Sequence, residues 1–456
     1  MELMKKTILL VSANRHHIPY PVYPIGVSYL RGYLESNLAG FHVEVFDCNL
    51  HTNEELAQVL QQLDPAYVGV SLRNIDGANS LDRSSFIGSY RDIVSCIRTN
   101  STATVFIGGA GFSIYPQALI DALKPDYGII GEGEESLCEL VRALEQGQDP
   151  SRIEGVACYV DGTFRCNPHT KYLKSLDVKF EHNLIDFYWQ SSGMLNIQTK
   201  RGCPYSCIYC SYPLIDGRKV RTLDTDLIVD NIKRVKAEKG VDYLFFTDSV
   251  FNIYNSYNIE LAEKIIKSGL KIRWGAYFSP SNLSDEMLAL FRASGLTHIE
   301  FGTESFSDSQ LVNYGKHFTF REVLEASELC LKHNVYYAHF LILGGYGETQ
   351  QTLKETIENS KRIRYSVFFP YMGMRVYPGT KLQAIAIEKG LISSNDDLLA
   401  PTYYLEDGFE VEEVKRMALE TGKAWVFPDD PQSDMMDVLR YKRNKKGLLW
   451  EYLRRP

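Results

Sequence analysis

The chain has 456 residues, 45% hydrophobic and 23% charged, enough for more than one buried core. Its net charge of −8 and pI near 5.8 give no electrostatic footprint for a nucleic-acid partner. No run of eighteen apolar residues is present, so no transmembrane helix is expected.

The N-terminal stretch KKTILLVSA is too short for the apolar core of a signal peptide and reads as a buried first strand. From there to about residue 140, apolar runs (TILLVSA, HVEVFDC, YVGVSL, TVFIGGA, YGIIGEG) alternate with helical stretches. Such alternation with short loops predicts βαβ units and a Rossmann-like parallel sheet covered on both faces. Ligands in such sheets sit at the carboxyl ends of the strands. Here those ends read SANRHH, SLRNIDGANS, GGAGFS and GEGEES, glycine-rich or polar, which marks a candidate ligand crevice. We divide the chain into this domain (1–145), a linker with a β-hairpin (146–194), a second βα series (195–390) and a helical C-terminal region (391–456). The hairpin turns at Asp161 and Gly162. The aromatics of LIDFYWQSSG read as interdomain packing.

The second series has six strands, MLNIQTK, YLFFTDS, KIRWGAYF, HIEFGTES, YYAHFLILGG and VFFPYMGMRVYP. Six units are too few for a closed eightfold barrel, so a partial (β/α)6 barrel is expected, with chemistry at its strand C-termini. Directly after its first strand comes RGCPYSCIYC, with Cys203, Cys207 and Cys210 in the spacing C-x3-C-x2-C. Zinc would want a fourth Cys or His nearby, and core cysteines would not gather in a Gly-Pro loop. A [4Fe–4S] cluster normally takes four thiolates, and three leave one iron open to an outside ligand. The other six cysteines are scattered and form no disulfide framework, which suits a reducing cytoplasm.

The loop C-x3-C-x2-C, with Tyr209 before its last cysteine, resembles the signature of the radical S-adenosylmethionine (SAM) superfamily. The resemblance implies that the open iron chelates SAM and that the reduced cluster cleaves the sulfonium to a 5′-deoxyadenosyl radical. It also implies an electron donor such as a flavodoxin or ferredoxin. FFTDSVFN resembles the segment in which Thr247, Asp248 and Ser249 meet the SAM amino group, although Ser249 stands where a second acid is usual. EFGTES resembles a strand end that places Glu304 and Ser305 near SAM, with Glu304 a candidate catalytic residue. LILGGYGET resembles the strand end whose glycines (Gly344 here) let the backbone approach adenosine, while Gly347 equally fits a tight turn.

YPIGVSYLRGYLE, GGAGFSIYPQAL and DYGIIGEGEES resemble the domain of the superfamily's cobalamin-binding branch, and RVYPGTKL and KKGLLWEYL its later segments. That likeness makes Ser71, Asn74, Gly108, Gly109, Gly111, Gly131, Glu132 and Gly133 candidate cobalamin contacts. The usual lower-face histidine motif D-x-H-x-x-G is absent, and His16 and His17 lack its context. Instead SLRNID offers Arg73, which cannot ligate cobalt because it stays protonated. An arginine there would keep the lower face uncoordinated, the alternative being an ion pair with Asp76. SLRNID resembles a subset that includes a tryptophan C-methyltransferase. The implied function is cobalamin-dependent C-methylation of a small molecule. A non-methylating radical SAM reaction on the same architecture, or a cluster-based sensor, would leave much the same sequence. Tyr403, Tyr404 and Glu406 are candidate substrate contacts.

Overall fold

The computed structural model describes residues 5–17, 20–81, 83–173, 176, 178–428 and 438–456. β-Branched and aromatic runs become β1 (Lys6–Ser12), β2 (Phe41–Asp47), β3 (Tyr67–Ser71), β4 (Thr104–Gly108) and β5 (Tyr127–Ile129). These five lie parallel in the order β2-β1-β3-β4-β5. The order reverses between β1 and β3, which opens a crevice at their carboxyl ends.

Helices α1 (Ile25–Asn37), α2 (Asn53–Leu63), α3 (Ile87–Asn100), α4 (Ala110–Ile114), α5 (Pro116–Leu123) and α6 (Gly133–Glu145) join the strands. α1 and α6 cover one face, while α2, α3 and α5 cover the other. Start signals are local: Thr52 caps α2 with its hydroxyl on the Glu55 amide, and the Glu55 carboxylate reaches back to Thr52.

The hairpin of β6 (Val156–Val160) and β7 (Thr163–Cys166) turns on Asp161 and Gly162, both at positive φ, as a two-residue type I′ turn requires. It adds two antiparallel edge strands to the first sheet, beyond β5. Next, α7 (His182–Ser192) packs across both halves, and the buried Tyr188 hydroxyl donates to Asp47 Oδ2 at 2.9 Å. The aromatics of this helix thus join the two domains.

The second series begins with β8 (Leu195–Ile197), then a small hairpin of β9 (Lys200–Arg201) and β10 (Arg221–Thr222) flanking the cysteines. β11 (Tyr243–Phe246), β12 (Arg273–Phe278), β13 (Leu296–Glu304), β14 (Tyr336–Leu343) and β15 (Val367–Met372) follow, all parallel and adjacent in sequence order. This is the expected partial barrel of six strands. The C-terminal region is more than helical: β16 (Met374–Arg375) pairs with β17 (Tyr403–Tyr404), and β18 (Ala424–Trp425) extends the sheet beyond β15. Among the described residues no helix is long and apolar enough to cross a membrane.

Candidate active site between the two sheets

The cysteine loop is held by backbone contacts that only particular residues permit. Gly202 has φ +92°, and a Cβ there would lie 2.2 Å from the Lys219 carbonyl, so no side chain fits. Cys203 N–H donates to Gly217 O (3.0 Å), Ile208 N–H to Tyr314 O (3.1 Å), and Ser249 Oγ to Gly202 O (3.2 Å). Among the described residues no three His, Cys, Asp or Glu side chains converge on one ion. Zinc would need a fourth ligand that the loop does not carry, whereas three thiolates suit a cluster that leaves one iron open. Burial pushes the Cys210 thiol up to about 12 and raises that of Cys203.

Beside the loop stands a buried polar group. Glu304 ends β13 at φ +68°, an uncommon conformation for a side-chain-bearing residue, where the register with β14 slips after Gly302. Its Oε1 accepts from Tyr209 Oη (2.7 Å) and Lys316 Nζ (3.1 Å). Lys316 also donates to Gly302 O, and its side chain is 7% exposed. Burial pulls its ammonium down, but Glu304 and the thiols of Cys207 and Cys210 outweigh this, so its net shift is upward. Lys316 carries no motif, and the sequence reading missed it.

The other candidate SAM contacts divide. Thr247 N–H and Oγ1 reach Ile197 O, at the end of the first barrel strand. Asp248, 1% exposed, is fully engaged: it accepts from the Thr199 amide (2.7 Å), the Thr199 hydroxyl (2.5 Å), the Lys200 amide (2.9 Å) and the Lys200 ammonium (2.7 Å). Ser305 faces the opposite side of the strand, bonded to Thr356 Oγ1 at 2.9 Å in the core. Gly344 has φ +77°, and a Cβ there would sit 2.6 Å from Leu405. Tyr404 and Glu406 are bonded to each other (2.9 Å), and Glu406 accepts from the Gly347 amide (3.0 Å).

In the first sheet, Ser71, Gly108, Gly109, Gly131, Glu132 and Gly133 line one cavity of about 220 Å³ between the strand ends and α1. Its far wall comes from the barrel half: Gln198, Arg201, and Ile215 and Asp216 at the end of α8 (Tyr212–Ile215), which follows the last cysteine. Burial pushes the Asp216 carboxyl up to about 6. Gly26, at the start of α1, also lines the cavity, and a Cβ built there meets nothing within 4 Å. A glycine-lined cleft with open space fits the tail of a corrin cofactor.

Two of the glycines serve packing. A Cβ on Gly109 (φ +93°) would lie 2.6 Å from Leu72 O, and Gly111 N–H donates to that same carbonyl at 2.9 Å. They let α4 press on the loop that carries Arg73. Gly111 is outside the cavity lining. Glu132 is paired with Arg221, and Glu134 with Arg201 (2.8 Å), so α6 is clamped to the cysteine hairpin.

Arg73 is exposed at the end of β3, close enough to act on the phenols of Tyr20, Tyr90 and Tyr212. The alternative of an ion pair with Asp76 fails, because Asp76 pairs instead with Arg375 Nε at 2.9 Å. Asn74 contributes its carbonyl, which accepts from Tyr90 Oη.

A radical SAM superfamily profile matches residues 197–359, and a B12-binding-domain profile matches 11–141. The chain carries a radical SAM domain and a B12-binding domain. It is 23% identical over 471 aligned positions to tryptophan 2-C-methyltransferase of Streptomyces laurentii, covering 86% of this chain and 78% of that protein. The radical SAM methyltransferase TsrM of Kitasatospora setae, solved with tryptophan and the SAM analogue aza-SAM, superposes with TM-score 0.83 at 22% identity, over 91% of this chain and 89% of that one. A structure of TsrM with cobalamin and a [4Fe–4S] cluster gives TM-score 0.78 at 25% identity, over 85% and 75% of the two chains. The cysteine loop lies in the radical SAM domain, and the glycine cavity is walled on one side by the B12-binding domain and on the other by the radical SAM domain.

Proposed function

We propose that this chain is a cobalamin-dependent radical SAM enzyme that methylates carbon on a small molecule. The observation that carries the reading is the shared wall: the segment leaving Cys210 forms one side of the glycine cavity, so the two cofactor sites adjoin. When bound, the cluster with SAM and the corrin supply methyl-transfer chemistry that protein side chains lack.

This chain's own residues then bind, orient and shield. Cys203, Cys207 and Cys210 would hold three irons of the cluster. Glu304, fixed by Tyr209 and Lys316, would serve as acceptor for the SAM amino group. Thr247 and Ser249 border the same loop. The cavity backbone at Gly108, Gly109, Gly131 and Gly133 receives the corrin tail, with Ser71 and Glu132 at its edge. Arg73 and Asn74 would stand beside a bound corrin, where a protonated arginine would offer no lone pair to cobalt. The same reading brings a flavodoxin- or ferredoxin-type electron donor and a cytoplasmic setting, and nine free cysteines suit a reducing compartment.

The test is anaerobic purification after co-expression with cobalamin supply. Corrin and cluster absorbance should appear together, with S-adenosylhomocysteine formed on turnover. Replacing Arg73 by alanine or lysine should change the corrin spectrum while the cluster stays intact. A protein that holds the cluster but never a corrin would sink the cobalamin reading.

A further inference from the structure

Alternation along β13 sends His298, Glu300 and Gly302 to one face, with Glu304 beyond the slip in register, while Ile299 and Phe301 pack outward against the helices. The first set faces the barrel lumen. Its floor is closed by an apolar cluster that includes Tyr243, Ala338, Val367 and, from the C-terminal segment, Trp450. Just above the floor stands Glu300, 3% exposed. Trp450 Nε1 donates to its Oε1 at 2.9 Å, and no hydrogen bond reaches Oε2 among the described residues.

The wall above it is aromatic. Phe245 meets Tyr277 (centroids 5.0 Å apart), Tyr277 meets Phe340 (6.5 Å), and Phe340 stacks on Phe369 (5.1 Å, 22°). Tyr371 and Tyr20 complete the set that faces Glu300 electrostatically. Tyr277 and Tyr371 point inward yet remain 37% and 36% exposed, so the lumen is open above the carboxyl. Glu304, beside the cysteines, is four residues further along the strand but spans only three positions of β14 because of the slip after Gly302, about 10 Å at strand rise. That depth admits a small ring system between the cofactor end and the floor.

We propose that Glu300 reads the substrate: the lumen takes a flat aromatic molecule, and the free Glu300 oxygen accepts a hydrogen bond from a ring N–H on it. The inference rests on the reading that the mouth of this barrel is the reaction site. Aromatic walls favour flat rings by offset and edge contacts. A buried acceptor left without a donor costs free energy, so a ring lacking the N–H is rejected. Among the described residues no cation offsets the carboxyl: burial pushes it up to about 7, and the Trp450 hydrogen bond pulls it back. An anionic substrate group at this depth would be repelled, so any carboxylate must point to the mouth.

The experiment is equilibrium binding to the reconstituted holoenzyme, using indole, 1-methylindole and indene as probes. Indole is the ring of tryptophan, the substrate in the name of the similar Streptomyces protein. Indole should bind, and 1-methylindole and indene about tenfold more weakly. Glu300→Leu should bring indole down to the level of indene while leaving indene within twofold, and Glu300→Gln, which keeps an acceptor, should restore indole. The proposal is overturned if indole does not bind, if 1-methylindole binds as well as indole, or if Glu300→Leu weakens all three probes alike. Should Glu300→Leu not fold, the wild-type comparison of indole with 1-methylindole decides. Corrin absorbance in the same preparation separates the readings: wild-type protein that binds indole selectively but no corrin refutes cobalamin dependence and supports the role of Glu300.

Discussion

Arg375→Met tests how the site is held. Arg375 lies just past the last barrel strand, 3% exposed in its side chain, and reaches back to the loop after β3. Its Nε donates to Asp76 Oδ2 (2.9 Å), Nη1 to Val376 O (2.8 Å), and Nη2 to Leu398 O (2.7 Å). Asp76 is itself 3% exposed, and its other oxygen is occupied by the Ala78 amide at 2.8 Å. Methionine fills similar volume but strands a buried carboxylate and two carbonyls. Breaking a buried pair from one side costs about 3–5 kcal/mol. We therefore expect a loss of about 4 kcal/mol, read as the shift in urea midpoint followed by tryptophan fluorescence. Asp76→Asn in the same background removes the stranded charge and should recover about half. Because Arg73 is three residues from Asp76, the corrin spectrum should change in the single variant and recover in the double one. A loss below about 1 kcal/mol, or a double variant no better than Arg375→Met alone, would refute the claim that this pair organises the border between the domains.

Alanine at Cys203, Cys207 or Cys210 should abolish cluster absorbance and SAM cleavage, and one variant retaining both would remove that cysteine from the ligand set. Gly26→Leu places a side chain into the open cavity, so corrin uptake should fall at least tenfold while cluster absorbance is kept; unchanged uptake would relocate the corrin tail. Gly109→Ala puts a methyl group 2.6 Å from a carbonyl at φ +93°, and should destabilise by about 1–3 kcal/mol in a denaturation midpoint. Folding raises the Glu300 carboxyl from 4.5 to about 7, so the folded state holds that proton more tightly. Its contribution to stability is full below pH 4.5 and is lost as pH rises through 7, by up to about 3 kcal/mol at roughly 1.4 kcal/mol per unit. Glu300→Gln should therefore show a smaller drop in midpoint between pH 5 and 8 than the wild type, and equal drops would place the carboxyl's pKa near its ordinary value.

What the sequence determined by itself is local and periodic. The strand–helix rhythm is set by side-chain alternation and capping, so both sheets and the six-stranded partial barrel were legible. The C-x3-C-x2-C loop was legible because its ligands are close in the chain, and six of the expected cofactor residues do line one cavity for the same reason: strand ends are readable one at a time. The tertiary structure decided what distant segments do to each other. The hairpin at 156–166 reads as a bridge from composition, yet its backbone hydrogen bonds make it an edge of the first sheet. Asp76 looks like a partner for its near neighbour Arg73, but burial against Arg375, 299 residues away, takes its charge and leaves Arg73 facing the interdomain space. Lys316 stands in no motif and Trp450, inside KKGLLWEYL, had no role assigned, and they reach Glu304 and Glu300 only because the barrel closes around them. Glu300 had a signal, lying two and four residues from Gly302 and Glu304 on an alternating strand. Periodicity could give it a face, but only the packed lumen shows that this face holds a buried carboxyl with one oxygen that no described residue bonds.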